Sequence, residues 1–264
     1  MSAPVMARFG RYRVDGRVAY GRLEGDAFER WSAAPWLDGR VAGPRDSLAR
    51  VSALPPCEPT KIVCVGLNYR AHIAESASVV PGAAPAAEPL LFLKPPSAVI
   101  ASGEAIRYPA GVTRLDPEAE MALVMGRRAC RVAERTALEH VAGVTALNDV
   151  SARNYQRSDG QWARAKGFDT FAPLGPFVAT GLDPGSLAVE CRVNGALRQS
   201  ARTSDLLFSP AFLVAFISHI MTLEPGDVIA TGTPAGVAAI AVGDRVEVEV
   251  EGVGILFNTV ESVE

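Results

Sequence analysis

A chain of 264 residues, 48% hydrophobic, can bury a sizeable core as one large domain or as a major domain with a small appendage. Its formal net charge of -3, without a basic run, argues against nucleic acid or anionic membranes as partners, and no apolar stretch approaches the roughly 20 residues that span a bilayer. Cys57, Cys64, Cys130 and Cys191 are scattered singly, without CxxC spacing, and the N-terminus lacks the apolar core of a signal peptide; buried free thiols in a reducing, cytoplasmic compartment are the expectation.

Residues 1–56 read as short strands and turns, a small β-rich N-terminal unit with a hairpin signal at Asp15-Gly16 and no convincing catalytic group. LPPCEPT, residues 54–60, reads as a linker. The main domain, residues 60–264, opens at KIVCVGLNY, whose continuous apolar run predicts a buried strand. RAHIAESASVVPGAAPAAEP starts as a helix and dissolves into Ala, Pro and Gly, which suggests a functional lid around residues 71–88. PLLFLKPPSAVI is a strand ended by Pro95 and Pro96, and Thr136 with Glu139 offers a capping box for a short helix in ERTALEHVA. SPAFLVAFISHIMTL is the best helix and is apolar nearly all round, so burial is expected. In the C-terminal third, Val and Glu alternate over residues 246–251 as in a half-buried strand. Helices are too few for a regular βαβ repeat; the pattern predicts an α+β, mostly β fold with a mixed, largely antiparallel core.

The residues that carry chemistry stand inside or beside these apolar runs, where an unpaired charge is costly. Glu118 and Glu120 in DPEAEMALVMG are two apart, so an extended chain sends both side chains to one face. Asp149, at the end of the apolar run in VTALNDVSARNYQ, is a natural third ligand, and an all-oxygen set suits a hard ion such as Mg²⁺. The ordinary alternatives are a solvated edge strand with two surface glutamates, and Asp149 as a helix N-cap. Only three of the 26 basic residues are lysines, namely Lys61, Lys94 and Lys166, which marks the survivors as candidates for sites needing a compact or tunable ammonium. Lys94 has no role that can be assigned from the sequence. Among three histidines, His72 has Glu75 one helical turn on, a carboxylate that would orient the imidazole as a general base; His140 and His219 read as structural.

Taken together, VGLNYRAHIAE, LFLKPPSAV, LDPEAEMALVMGR, NDVSARNYQ, KGFDTFAPLGP, VNGALRQ and LEPGDVIATGTPAGV resemble, in order, the fumarylacetoacetate hydrolase superfamily across residues 60–260. The resemblance lies with its 5-carboxymethyl-2-hydroxymuconate isomerase and 2-hydroxyhepta-2,4-diene-1,7-dioate isomerase-like branch, and residues 1–56 resemble, less specifically, the leader of bacterial members. It implies a mixed β-roll or sandwich, a homodimer, and Mg²⁺ or Mn²⁺ held by Glu118, Glu120 and Asp149, with Ca²⁺ able to replace it in crystals. It implies small-molecule substrates, 2-oxo acids or 2-hydroxy-dienoic diacids, that are hydrolysed at a C–C bond, decarboxylated or isomerised. Acylpyruvate hydrolysis and oxaloacetate decarboxylation are specific options, hydration of a 2-hydroxydienoate is another, and a non-catalytic metabolite binder is the rival class. By the same resemblance Lys166 neutralises a developing oxyanion or delivers a proton, and His72 with Glu75 forms the dyad of the hydrolytic and decarboxylating members. Arg153 and Gln156 would hold the distal end of the substrate, and Thr170 and Thr233 would contact the substrate or support those that do.

Overall fold

The computed structural model describes residues 6–76 and 87–263. The chain begins as an antiparallel meander of β1 (Ala7–Val14), β2 (Arg17–Glu24), β3 (Ala27–Trp31) and β4 (Val41–Ser47), and β5 (Ser52–Leu54) folds back on β1. The expected hairpin is present: Asp15 and Gly16 have φ of 47° and 76°, the two left-handed residues a tight type I′ turn requires. Tyr12 stacks on Phe28 with ring centroids 4.4 Å apart, and its hydroxyl donates to Asp46, which also pairs with Arg30.

The remaining strands complete two sheets. β6 (Ile62–Gly66), β7 (Leu90–Lys94), β11 (Ala119–Met125), β12 (Val141–Asn148), β14 (Ala172–Thr180) and β17 (Val228–Ala230) extend the meander into one sheet ordered β4-β3-β2-β1-β14-β12-β11-β17-β6-β7, with β8 (Val99–Ile100) added to β14. β1 is the join, pairing Ala7, Arg8 and Phe9 with Thr180, Ala179 and Val178. The second sheet runs β16 (Ala196–Arg202), β15 (Ala188–Val193), β18 (Arg245–Val250), β19 (Gly254–Ser262) and β9 (Ala105–Tyr108). A two-stranded piece joins β10 (Leu115–Asp116) to β13 (Ser151–Ala152). Most pairings are antiparallel; β6 with β17, β8 with β14 and β9 with β19 are parallel. The architecture is α+β and mostly β, as the sequence pattern predicts.

The core follows from the two-residue period of the strands. Val246, Val248 and Val250 of β18 point inward, as their alternation with charged residues requires. β11 is buried throughout: Met121, Leu123 and Met125 enter the larger core cluster, while Ala122 and Val124 enter a smaller one with Ile62, Cys64 and Leu174. The helices are α1 (Arg70–Ser76), α2 (Glu134–Ala137), α3 (Arg153–Ser158), α4 (Ala163–Lys166) and α5 (Pro210–Ile220).

Three expectations need correction. The α5 helix is capped by Ser209, whose hydroxyl accepts the Phe212 N–H, but it is buried on one side only. Leu213, Val214 and Ile217 face the core, whereas Phe212 and Phe216 stack along a half-covered face and Ile220 is 57% exposed. No Thr136/Glu139 capping box forms, because α2 starts at Glu134 and the Thr136 hydroxyl donates back to the Ala133 carbonyl. Cys130 is exposed, outside the strands that bury Cys64 and Cys191, while Cys57 is buried as expected.

Candidate active site

Glu120 lies on the β11 face that carries Ala122 and Val124, and Glu118 stands two residues before it. Pairing of β11 with β12 sets Ala119 opposite Asn148, so the next residue, Asp149, arrives beside both glutamates. Two cross-bonds fix the junction: the Asp149 N–H donates to the Glu118 carbonyl at 2.8 Å, and the Glu118 N–H donates to Asn148 Oδ1 at 3.0 Å. Glu118, Glu120 and Asp149, all buried, each offer an oxygen within 4.8 Å of the others.

Three buried cations answer two of these carboxylates. Lys166, closing α4, donates to Glu118 Oε2 at 2.7 Å and Asp149 Oδ2 at 2.6 Å. Lys94, closing β7, donates to Asp149 Oδ1 at 2.5 Å and to the Val150 carbonyl at 3.2 Å. Arg153, opening α3, pairs with Glu118 Oε1 at 2.6 Å and donates to Asp116 Oδ2 and Gln156 Oε1, both at 2.8 Å. Arg114 completes the chain by a two-pronged bond to Asp116. Glu120 has no ion pair of its own among the described residues; its Oε2 accepts the Gly232 N–H at 2.7 Å.

Proton affinities follow that arrangement. Burial alone would raise the Glu118 pKa, but Lys166 and Arg153, with His72 adding, hold it well below the usual carboxylate range. Glu120 moves well above that range, through burial and then repulsion from Asp149 and Glu118. Burial lowers the Lys94 pKa, and Lys166 lowers it further, despite Asp149. For Lys166 burial works the same way but is outweighed by Asp149 and Glu118, and its pKa rises. Three converging carboxylates, one left without a cation, form a hard all-oxygen donor set that fits a divalent ion such as Mg²⁺ or Mn²⁺.

His72 and Glu75 meet the same cavity from α1, with Nδ1 of the histidine 3.5 Å from Glu75 Oε2. Glu75 Oε2 also accepts the Gly236 N–H at 3.0 Å, tying α1 to the TGTPAG loop. Burial pushes the His72 pKa below 6.5, and Arg153 adds to this, while Glu118 and Glu75 oppose it. A neutral imidazole able to accept a proton results. Of the lid expected over residues 71–88, the part at 77–86 lies outside the described residues.

Arg153, Gln156, Lys166 and Thr233 all line the cavity; Val65, Leu67, Phe92 and Trp162 supply apolar wall. Arg153 and Gln156 are bonded to each other, and the guanidinium already serves two carboxylates. The structure does not bring Thr170 to this cavity. Its left-handed backbone, with φ of 72°, turns the hydroxyl away to accept the Arg107 N–H at 2.9 Å. His140 and His219 face main-chain carbonyls, of Arg128 and Ala215 respectively. The sequence alone did not single out Arg114, quoted Asp116 only within LDPEAEMALVMGR and left Lys94 without a role; lysine scarcity was the signal that singled Lys94 out. Gln199, quoted only within VNGALRQ, links β16 to Ala119 and Thr233.

Residues 61–261 match the family described as fumarylacetoacetate (FAA) hydrolase C-terminal, and residues 7–56 match Rv2993c-like, N-terminal. The chain belongs to the fumarylacetoacetate hydrolase family. Protein Rv2993c of Mycobacterium tuberculosis is 43% identical, covering 96% of this chain and 97% of that protein. The structure of a 5-carboxymethyl-2-hydroxymuconate delta-isomerase from Mycobacterium smegmatis is 42% identical with a TM-score of 0.89, over 97% of this chain and 100% of the other. The bovine mitochondrial oxaloacetate tautomerase FAHD2B is 40% identical over 78% of this chain and 68% of its own length. The maleylpyruvate hydrolase of Sphingobium sp. SYK-6, in complex with manganese(II) and pyruvate, is 28% identical with a TM-score of 0.78, over 97% of this chain and 100% of that one.

Proposed function

We propose that this protein is a divalent-metal-dependent enzyme acting on 2-oxo acids or 2-hydroxy-dienoic diacids, by C–C hydrolysis, decarboxylation or keto–enol isomerisation. The observation that carries the reading is the convergence of Glu118, Glu120 and Asp149 with Lys166 and a neutral His72 on one cavity. Glu118, Glu120 and Asp149 would hold Mg²⁺ or Mn²⁺, which supplies Lewis acidity toward the carboxylate and keto oxygens of a 2-oxo acid. Lys166, bonded to Glu118 and Asp149, would meet the negative charge that develops when a C–C bond breaks or an α-proton leaves. His72, oriented by Glu75, takes a proton from water in the hydrolytic reaction or moves it between carbon and oxygen in isomerisation. Relatives named isomerase, tautomerase and hydrolase support the reaction class and leave three chemistries on the same cavity.

The test is turnover of oxaloacetate, acylpyruvates and 2-hydroxy-dienoic diacids with Mg²⁺ or Mn²⁺. Asp149→Ala and EDTA should each abolish it, and full activity under either condition defeats the reading. His72→Ala then separates the chemistries: hydrolysis should collapse, whereas tautomerisation should survive in part. The same reading carries the homodimer that the family motifs imply, which light scattering in solution tests.

A further inference from the structure

Arg114 and Asp116 flank Leu115 where the chain enters β10, and at that spacing an extended backbone sends both side chains to one face. The main chain there is held from α3. The Arg114 carbonyl accepts the Arg153 N–H at 3.0 Å, and the Asn154 side chain accepts the Thr113 N–H at 3.3 Å and donates to the Gly111 carbonyl at 3.0 Å. The Arg114 guanidinium lies side-on to Asp116, Nε donating to Oδ1 at 2.9 Å and Nη2 to Oδ2 at 3.0 Å. Two parallel bonds to a buried carboxylate fix the plane of the group as well as its position.

Three lysine or arginine side chains line the cavity, and they are not equivalent. Lys166 is buried against Glu118 and Asp149. Arg153 is buried too, and each of its three nitrogens meets an oxygen of the chain, on Asp116, Gln156 and Glu118. Arg114 differs. Its side chain is 41% exposed, and its Nη1 meets no oxygen of the described residues. Docking through Nε leaves the outer edge, Nη1 and the second N–H of Nη2, as a paired set of donors. Asp116 does not depend on Arg114 alone, since Arg153 also answers it, and an ion pair this exposed adds little to stability. The outer edge is also set apart from the carboxylate cage: Asp116 and Arg153 stand in series between it and Glu118. A ligand that reaches both the cage and Arg114 does so with opposite ends.

We infer that Arg114 is a specificity-determining residue that receives a second, distal carboxylate, so that the cavity prefers 2-oxo diacids over 2-oxo monoacids of the same length. A planar fork of two N–H groups matches the two oxygens of a carboxylate and has nothing to bond in a methyl group. The inference rests on the 2-oxo acid reading and deepens it by choosing the diacids.

Calorimetric titration of the Mn²⁺-loaded protein with matched pairs of acids tests it, with Mn²⁺ alone titrated in parallel. The pairs are 2-oxoglutarate with 2-oxopentanoate, 2-oxoadipate with 2-oxohexanoate, and 2-oxopimelate with 2-oxoheptanoate. In wild type at least one diacid should bind about tenfold or more tighter than its monoacid, the gain expected of a hydrogen bond between charged groups. Arg114→Gln should cut that preference to about twofold or less, while monoacid affinity and Mn²⁺ uptake stay within about twofold of wild type. Arg114→Lys keeps the charge without the fork and should lower the preference by about threefold. It carries the test if the glutamine variant does not fold. Monoacids bound by wild type with no preference for any diacid, a preference undiminished in the variant, or an equal loss for both members of a pair overturns the inference and leaves the reading standing. A wild-type protein that takes up neither Mn²⁺ nor any of these acids overturns both.

Discussion

Two of the places where the chain buries carboxylates treat them in opposite ways. Asp227, just before β17, is enclosed by three main-chain N–H groups, the Thr60 hydroxyl and the Lys61 ammonium. Its Oδ1 accepts the Thr60 N–H, the Thr60 hydroxyl and the Lys61 N–H at 2.9, 2.7 and 3.1 Å. Its Oδ2 accepts the Glu224 N–H at 2.8 Å and pairs with the Lys61 ammonium. Burial would raise its pKa, yet the bonds from Lys61, Glu224 and Thr60 win and lower it. At Glu118, Glu120 and Asp149 the donors are chiefly long cationic side chains, and Glu120 receives only one backbone N–H and a raised pKa. At Asp227 three backbone N–H groups, a hydroxyl and one ammonium satisfy a single carboxylate. In the cavity Glu120 is left without a cation of its own among the described residues, and an exchangeable cation would answer it.

The strongest way to break this comparison is Glu120→Gln. The amide keeps an acceptor for Gly232 but removes the charge, so turnover should fall on the order of 10³-fold, as when a charge-stabilising group is removed. Relief of repulsion should meanwhile raise the melting temperature of the metal-free protein by roughly 2–4 °C, for about 1 kcal/mol gained. A lower melting temperature would mean that Glu120 is not under electrostatic pressure.

Asp227→Asn should do the reverse, costing about 3–5 kcal/mol because an amide nitrogen must face fixed donors, while kcat/KM of the folded protein is unchanged. A matching loss of turnover would erase the distinction between the two sites. His72→Ala should cost about a hundredfold in hydrolysis. Because burial lowers the His72 pKa below 6.5, wild-type activity should hold as pH falls to that value and drop only beneath it, an acid limb absent from the variant. The smallest effect is on stability against pH. Asp227 has a depressed folded pKa, so its contribution is complete above about pH 4 and drains away as pH falls through the folded value. Chemical denaturation at stepped pH should show this slope in wild type and its loss in Asp227→Asn.

Local pattern carried a good deal of this. Two glutamates at strand spacing, an aspartate ending an apolar run and a histidine one turn before a glutamate all lie within short windows, and the structure brings these groups to one cavity. The alternation in β18 and the turn at Asp15-Gly16 were legible for the same reason. What escaped depends on distant pairing. Lys94 reaches Asp149 across 55 positions, Gln199 reaches Ala119 across 80, and Asp227 reaches Thr60 across 167. Their neighbours are set by strand order, which periodicity does not encode. Thr170 differs again: the family resemblance offered it as a substrate contact or a support of one, and its left-handed residue turns the hydroxyl to Arg107 instead of the cavity.

The join between β1 and β14 has a consequence for handling and for evolution of the chain. Without residues 7–9, the Val178–Thr180 end of β14 would offer bare peptide groups beside Phe177, a sticky flank of the type that recruits foreign strands into fibrils. The leader therefore acts as a guard rail, and trimming it to obtain a minimal enzyme should trade a shorter chain for poor solubility.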